Sequence, residues 1–293
     1  MDWAVSVIVP FYNAAPWLER CLESLLAQHL CELEIILVDD ASTDSSPKIA
    51  GRYAVCYPDR IRYLRQESNM GPGAARNAGI ALARGEYVGF VDADDMAEPD
   101  MFSSLHTAAR KTGAQVAVCG MRIVSNGREC DCLPKRIRSA RDLLGDSDLL
   151  SPPWNKIYLR SFITVNEITF PVSRMSEDMA FAFKAMARAP QLACVIKALY
   201  VYIKHESCVT LDMSKRADAL ISMAELKSYL YRIDKFNEYK NYYMKMQFLH
   251  LVYYPICLLF IDGLLKGNNK LHIFRQAPRY FYELVKFLFR RSI

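Results

Sequence analysis

The amino-acid sequence predicts an α/β protein: a Rossmann-like, mainly parallel sheet flanked by helices, followed by a helical C-terminal region. Three observations carry that expectation. Short apolar runs alternate with amphipathic segments across the first 120 residues. The runs are apolar on both faces, as strands covered by helices on each side must be. From about Ser214 the pattern changes to long helix-like stretches rich in Tyr, Phe, Leu and Lys.

Taken in order, Val5-Ser6-Val7-Ile8-Val9 is a β-branched strand stopped by Pro10. A helix over 16–28 follows, because Pro16 suits a first turn and Leu18, Cys21, Leu22, Leu25 and Leu26 share one face. Glu34 to Val38 is a second buried strand that ends in Asp39-Asp40. Ser42-Thr43-Asp44 offers an N-cap for a helix over 45–56. Ile61 to Arg65 is a third strand, and the helix after it, over 72–84, is closed by Gly85 as a left-handed cap. Tyr87 to Val91 is a fourth strand running straight into Asp92-Ala93-Asp94-Asp95. A helix over 98–112 ends at Gly113, and Gln115 to Cys119 is a fifth strand. Residues 121–150 read as polar and irregular, and short strands follow at 192–195 and 198–203. Ligands of such sheets bind at the carboxyl ends of the strands. Residues 10–13, Asp39-Asp40 and 92–95 therefore converge on one edge.

Composition narrows the class. At 52% hydrophobic and 24% charged, the 293 residues describe a globular chain rather than a disordered one. Net charge is −7 over residues 1–110, +5 over 111–210 and +7 over 211–293. Such asymmetry points the basic half toward an anionic surface, membrane or nucleic acid. Interleaved acids and the lack of a reader motif argue against nucleic acid. Nine cysteines without a CxxC pair fit reduced, mostly buried thiols of a cytoplasmic protein, and no signal peptide precedes Val5.

The acidic cluster carries the chemistry. Three carboxylates in four residues raise each other's pKa unless a cation neutralises them. Hard oxygen ligands at a strand end suit Mg²⁺ or Mn²⁺, which takes one or two carboxylates plus substrate phosphates. Taken alone the cluster reads equally well as a solvated turn, with Asp95 capping the next helix. A dinucleotide-binding Rossmann site needs GxGxxG after the first strand, where Pro10-Phe11-Tyr12-Asn13 stands instead, and no GxxxxGK[ST] loop occurs.

Four motifs in order remove the ambiguity. They are residues 5–13, residues 34–44, Gly71-Pro72-Gly73-Ala74-Ala75-Arg76-Asn77-Ala78-Gly79, and residues 85–95. Together they resemble the catalytic domain of the family 2 glycosyltransferases, inverting bacterial enzymes of GT-A fold, over about residues 4–210. The resemblance implies that Pro10, Tyr12 and Asn13 line the nucleotide pocket. It implies that Asp39 and Asp40 contact the uracil and ribose side of a UDP-sugar, with Ala41 where many relatives carry Gly. Gly73, Arg76 and Asn77 would face the base and diphosphate. Asp92, Ala93 and Asp94 form the DxD motif, with Asp94 the direct metal ligand and Asp92 a ribose or metal-water contact.

The second half resembles the family's acceptor side. Trp154-Asn155-Lys156-Ile157-Tyr158 matches its W-x-K-x-Y segment, so Trp154 and Lys156 are expected to meet the acceptor. Ser176-Glu177-Asp178 matches its E-D motif. An inverting displacement needs one general base, and the resemblance gives that role to Asp178 with Glu177 in reserve. His205 stands where relatives often carry Arg or His, and it would complete the metal shell or touch the diphosphate.

The organisation implied is a catalytic domain over 1–212, with a nucleotide-sugar half to about 120 and an acceptor half beyond it. A helical region follows over 213–293. Residues 279–291 are aromatic and basic, with Phe281, Leu284, Val285 and Leu288 on one face. That pattern reads as a helix lying on the anionic inner leaflet, where lipid-linked acceptors are found; self-association through the same surface is the rival. Residues 248–265 are apolar but carry Pro255 and Asp262, which favours a buried helix over a membrane span. The activity implied is transfer of a hexose or N-acetylhexosamine from a UDP-sugar to a glycan or lipid-linked glycan. Its counterpart from another class is a non-catalytic nucleotide-sugar-binding scaffold.

Overall fold

The computed structural model describes residues 2–135, 137–204 and 218–250. It begins β1 (Val5–Phe11), α1 (Ala15–Leu26), β2 (Leu33–Asp39), α2 (Ser46–Cys56), β3 (Ile61–Arg65), α3 (Pro72–Leu82) and β4 (Tyr87–Phe90). It continues β5 (Met96–Ala97), α4 (Met101–Thr112), β6 (Val116–Ser125), β7 (Arg128–Cys132), α5 (Ala140–Gly145), α6 (Ser147–Leu150), β8 (Lys156–Leu159) and α7 (Arg160–Val165). The last elements are α8 (Glu177–Arg188), β9 (Leu192–Ile203), α9 (Asp218–Arg232) and α10 (Phe236–Phe248).

One sheet of nine strands runs β3-β2-β1-β4-β8-β6-β9-β5, with β7 paired to β6. The first four are parallel, with Phe11 beside Asp39 and Ile8 beside Phe90. Their carboxyl ends therefore open on the same edge, and every residue of β1, β2 and β4 is buried. The parallel character stops there. Strand β8 is antiparallel to both β4 and β6, β5 is antiparallel to β9, and only β6–β9 is parallel in the second half. The α/β class with a helical C-terminal region holds, in the form of a mixed sheet.

Three local expectations change. Residues 121–150 are not irregular throughout: β6 extends to Ser125 and returns as β7 through Asn126-Gly127, both at positive φ (49° and 72°). Asn-Gly is the preferred pair for such a hairpin turn, but the exposed Arg128–Cys132 strand shows no apolar alternation. The two short strands near 192 and 198 are one strand, β9, with a register shift opposite Cys119–Met121. Gly85 is not a left-handed cap; α3 closes on Ala83 in an extended conformation. A Cβ at Gly85 would stand 2.5 Å from the Ser6 backbone nitrogen, so close approach to β1 demands glycine here.

Helix α8 is the centre of the second half, buried along nearly its whole length. Phe181 stacks on Phe170 at 3.9 Å between ring centroids, and Phe90 of β4 meets both rings edge-on. Helix α9 packs on α8, and its Met223 and Leu226 belong to the same apolar core. The Lys184 ammonium, buried on α8, reaches Glu225 Oε1 at 2.5 Å and Thr169 O at 3.0 Å.

Candidate active site

The exits of β1 and β2 are knitted together by side chains. Asn13 takes a positive φ of 52°, and its Oδ1 accepts from Thr43 N at 2.8 Å and Asp44 N at 3.3 Å. The Ser42 and Ser46 hydroxyls accept from Asn13 N and Ala14 N. Asp39 is fully buried and accepts from Ser42 N at 2.7 Å and Tyr63 Oη at 3.0 Å. Asp40 receives Met70 N and Gly71 N, each at 2.8 Å, while burial pushes its carboxyl above the ordinary range. Between these turns Ala41 sits at φ 62°, a conformation that costs an L-residue energy and glycine almost none. Tyr12 is half exposed on this edge, whereas Pro10 is buried within β1.

The turn after β4 presents the acidic cluster. Asp95 N donates to Asp92 O at 3.0 Å and closes the turn. Asp92 and Asp94 are partly exposed, while Ala93 and Asp95 are buried. Asp95 does not cap the helix that follows; Asp100 stands at the N-cap of α4. The Asp95 carboxylate faces inward, accepting from Tyr200 Oη at 2.7 Å and Ile203 N at 2.8 Å. Burial, then the neighbouring Asp92 and Asp94 charges, push its pKa well above the usual range. Tyr200 also accepts from Asp92 N at 3.2 Å. From α1, the Arg20 guanidinium reaches Asp94 O at 2.9 Å and Cys21 Sγ donates to Asp92 O at 3.6 Å.

Arg76 joins this turn to α8. Its guanidinium is buried, with Nη2 2.8 Å from Asp92 Oδ1 and Nη1 2.9 Å from Glu177 Oε1, and it lies 5.4 Å over the Phe170 ring. One cation thus gathers a carboxylate from the end of β4 and another from the first turn of α8, 101 residues apart in sequence from Arg76 to Glu177. Asp178 is next to it and partly exposed, with Oδ1 accepting from its neighbour Met179 N at 2.6 Å. Burial raises the proton affinity of this carboxylate pair, to about 7 for Glu177, against the pull of Arg76. A carboxyl group whose proton affinity is raised by burial suits proton transfer.

Several expected contacts are spent on structure instead. Asn77 exchanges two hydrogen bonds of 2.9 Å with the Phe170 backbone and so holds that segment rather than facing a diphosphate. A Cβ at Gly73 would stand 2.3 Å from Pro171 O, so this glycine admits the 170–171 chain. Trp154 stacks on Tyr200 at 3.9 Å and Tyr202 at 5.6 Å, and is almost wholly buried. Lys156 is fully buried, its ammonium within 2.5–3.2 Å of Leu149 O, Leu150 O, Pro152 O and Asn155 Oδ1. Burial lowers its pKa to about 7, and these four oxygens favour its charged form. The acceptor role expected of Lys156 is not what this geometry offers; it ties down the loop that delivers Trp154. Replacing it in Lys156→Met strands four acceptors and should cost about 2–4 kcal/mol, read as a lower urea midpoint at unchanged m-value. His205 lies outside the described residues, as do residues 251–293.

Sequence reasoning missed Tyr200, Arg20 and Cys21. None belongs to a motif, and only the pairing of β9 with β5 brings Tyr200 beside the acidic turn. No group of three or more His, Cys, Asp and Glu that could by itself hold a metal occurs among the described residues. Two partly exposed carboxylates in a locally negative turn nevertheless fit a hard divalent cation that draws its remaining ligands from substrate phosphates.

Known proteins resemble this chain in sequence and fold. The model of glycosyl transferase family 2 matches residues 6–163, from β1 to α7. EpsH of Bacillus subtilis (strain 168) is 32% identical over 272 residues, 87% of this chain and 76% of its own length. The succinoglycan biosynthesis protein ExoO of Rhizobium meliloti (strain 1021) is 31% identical over 245 residues, 78% of this chain and 69% of its own. The crystal structure of S. aureus TarS 1-349 in complex with UDP-GlcNAc has the same fold, with a TM-score of 0.62 at 24% identity, covering 84% of this chain and 75% of that one. With a model match over more than half its length and relatives above 30% identity along most of it, the chain belongs to glycosyl transferase family 2.

Proposed function

We propose that this glycosyltransferase inverts configuration, moving a hexose or N-acetylhexosamine from a UDP-sugar to a hydroxyl of a glycan acceptor during bacterial surface polysaccharide synthesis. The observation that carries the reading is Arg76, which holds Asp92 and Glu177 on one guanidinium and so sets Asp178 beside the acidic turn. UDP-GlcNAc in the complex of TarS supports a UDP-sugar donor, and succinoglycan synthesis in the name of ExoO supports a surface glycan product.

The chemistry is one in-line displacement. Asp178 takes the proton of the acceptor hydroxyl, whose oxygen attacks the anomeric carbon as the sugar–phosphate bond breaks. The electron pair leaves with the nucleoside diphosphate. Asp178 suits the base role better than Glu177, because Glu177 is buried and committed to Arg76 while Asp178 is partly exposed. Mn²⁺ or Mg²⁺ held by Asp94, with Asp92, would offset the charge that builds on the leaving diphosphate. Arg20, Cys21 and Tyr200 hold the backbone of that turn on three sides.

The experiment that tests the reading is UDP release from a panel of UDP-sugars with and without acceptor, as Mn²⁺ is titrated. Activity should require the metal and fall at least about 100-fold in Asp94→Asn, an effect expected of lost electrostatic stabilisation. Equal turnover with and without chelator would sink the metal assignment. The same reading keeps 1–212 as catalytic domain and 213–293 as helical extension, with the acceptor met at the inner membrane face or on a soluble glycan. No helix among the described residues is long and apolar enough to cross a membrane.

A further inference from the structure

We propose that the helical C-terminal region positions the catalytic base, with His250 and Ser222 acting as positioning residues on the loop that leads into Asp178. The proposal rests on the reading of Asp178 as base.

That loop, residues 170–176, is pinned on two sides. On the nucleotide side Asn77 holds Phe170, and Gly73 admits Pro171. On the opposite side the holds seen among the described residues come from beyond residue 217. Ser222 Oγ on α9 donates to Met175 O at 2.9 Å and lies 2.6 Å from Ser173 Oγ. Arg174 N donates to Asp218 Oδ2 at 3.3 Å. Ser176 Oγ and His250 Nδ1, just past α10, make a hydrogen bond of 2.8 Å. Ser173, Ser176 and Ser222 are all buried, and the contacts of Ser222 with Ser173 and Met175 lie away from water that could replace them.

Ser176 is where the hold matters. It takes φ 61°, ψ 16°, the left-handed region, at the N-cap of α8. A serine there is strained, and such strain persists only where the surroundings over-determine it. The next two residues are Glu177 and Asp178, so the torsion at Ser176 aims the first turn of α8 at Arg76 and the acidic turn. If the His250 hydrogen bond is lost, Ser176 can relax toward ordinary backbone and the base swings with it. A misplacement of about 1 Å far from the chemistry can cost on the order of 100-fold in rate. The exits of β1 and β2 are held by their own side chains, and the movement reaches the nucleotide side through the Arg76–Glu177 and Arg174–Asn69 contacts.

The test uses the full chain in four variants: His250→Ala, His250→Asn, Ser222→Ala and Asp178→Asn. Asparagine sets an amide nitrogen near the place of Nδ1, so it can restore the bond to Ser176. We expect His250→Ala to lower kcat at least about tenfold, with donor KM and UDP affinity within about twofold of the parent. His250→Asn should recover kcat to within about threefold of the parent, and Ser222→Ala should show the same kcat-only loss in milder form. Unchanged kcat in both His250→Ala and Ser222→Ala overturns the proposal. So does a fall of kcat and UDP affinity together in step with lost folded protein, or failure of His250→Asn to rescue. Asp178→Asn separates the two levels: near-normal turnover there removes the base assignment itself, whereas a dead Asp178→Asn beside a fully active His250→Ala removes only the positioning role.

Discussion

Asp178→Asn should abolish sugar transfer while leaving UDP binding nearly unchanged. The amide keeps the volume of the carboxylate and can still accept from Met179 N, so α8 retains its first turn. What it loses is the capacity to take a proton from the acceptor hydroxyl. General-base contributions run to about 10²–10⁴ in rate, equivalent to about 3–5 kcal/mol of barrier. Kinetics should show a fall in kcat with little change in donor KM, and calorimetry with UDP should show parent affinity. The pH profile carries the sign. A base works only when deprotonated, and burial raises the proton affinity of the Glu177–Asp178 pair, to about 7 for Glu177. Transfer should therefore fall on the acid side of neutrality, at a higher pH than a solvent-exposed carboxylate would give. Near-parent turnover in Asp178→Asn shifts the base to another group.

Much of this arrangement was legible in the residues, for reasons that differ along the chain. The strands of the first half are fully buried, so their apolar runs announce both their type and their burial. Parallel strands then force Asp39-Asp40 and Asp92 to the same edge without any further information. The β6–β7 hairpin was less legible because β7 is exposed and polar, leaving only Asn126-Gly127 as a signal. Side-chain direction was the hardest. Asn77 and Lys156 sit in family motifs, yet one is consumed by the Phe170 backbone and the other by four loop oxygens. Asp95 is one residue from the expected metal ligand, but it turns inward to Tyr200 and Ile203. Neither spacing nor composition distinguishes a polar group that meets substrate from one that holds the site's walls. Only long-range pairing does, and here it comes from β9 and from the helices beyond residue 217.

Arg76→Met should be the most disruptive single change at the site, in stability and activity together. Methionine preserves much of the buried stem but removes the cation between Asp92 and Glu177. Glu177 would then be left buried and unpaired beside the partly exposed Asp92, and stranding a buried charge in this way typically costs about 3–5 kcal/mol. Arg76→Lys is no rescue, because one ammonium cannot bridge two carboxylates that the planar guanidinium meets with separate nitrogens at 2.8 and 2.9 Å. The double variant Arg76→Met with Glu177→Gln separates the two effects. Removing one of the opposed charges should recover a large part of the lost stability, since the penalty is an unpaired buried charge rather than a missing contact. Activity should not return, because nothing then ties the first turn of α8 to the acidic turn of β4. Urea unfolding of the four members of this cycle measures the coupling, and UDP release measures the activity. Full recovery of turnover in the double variant would show that Arg76 serves stability alone, and that Asp178 finds its place without it.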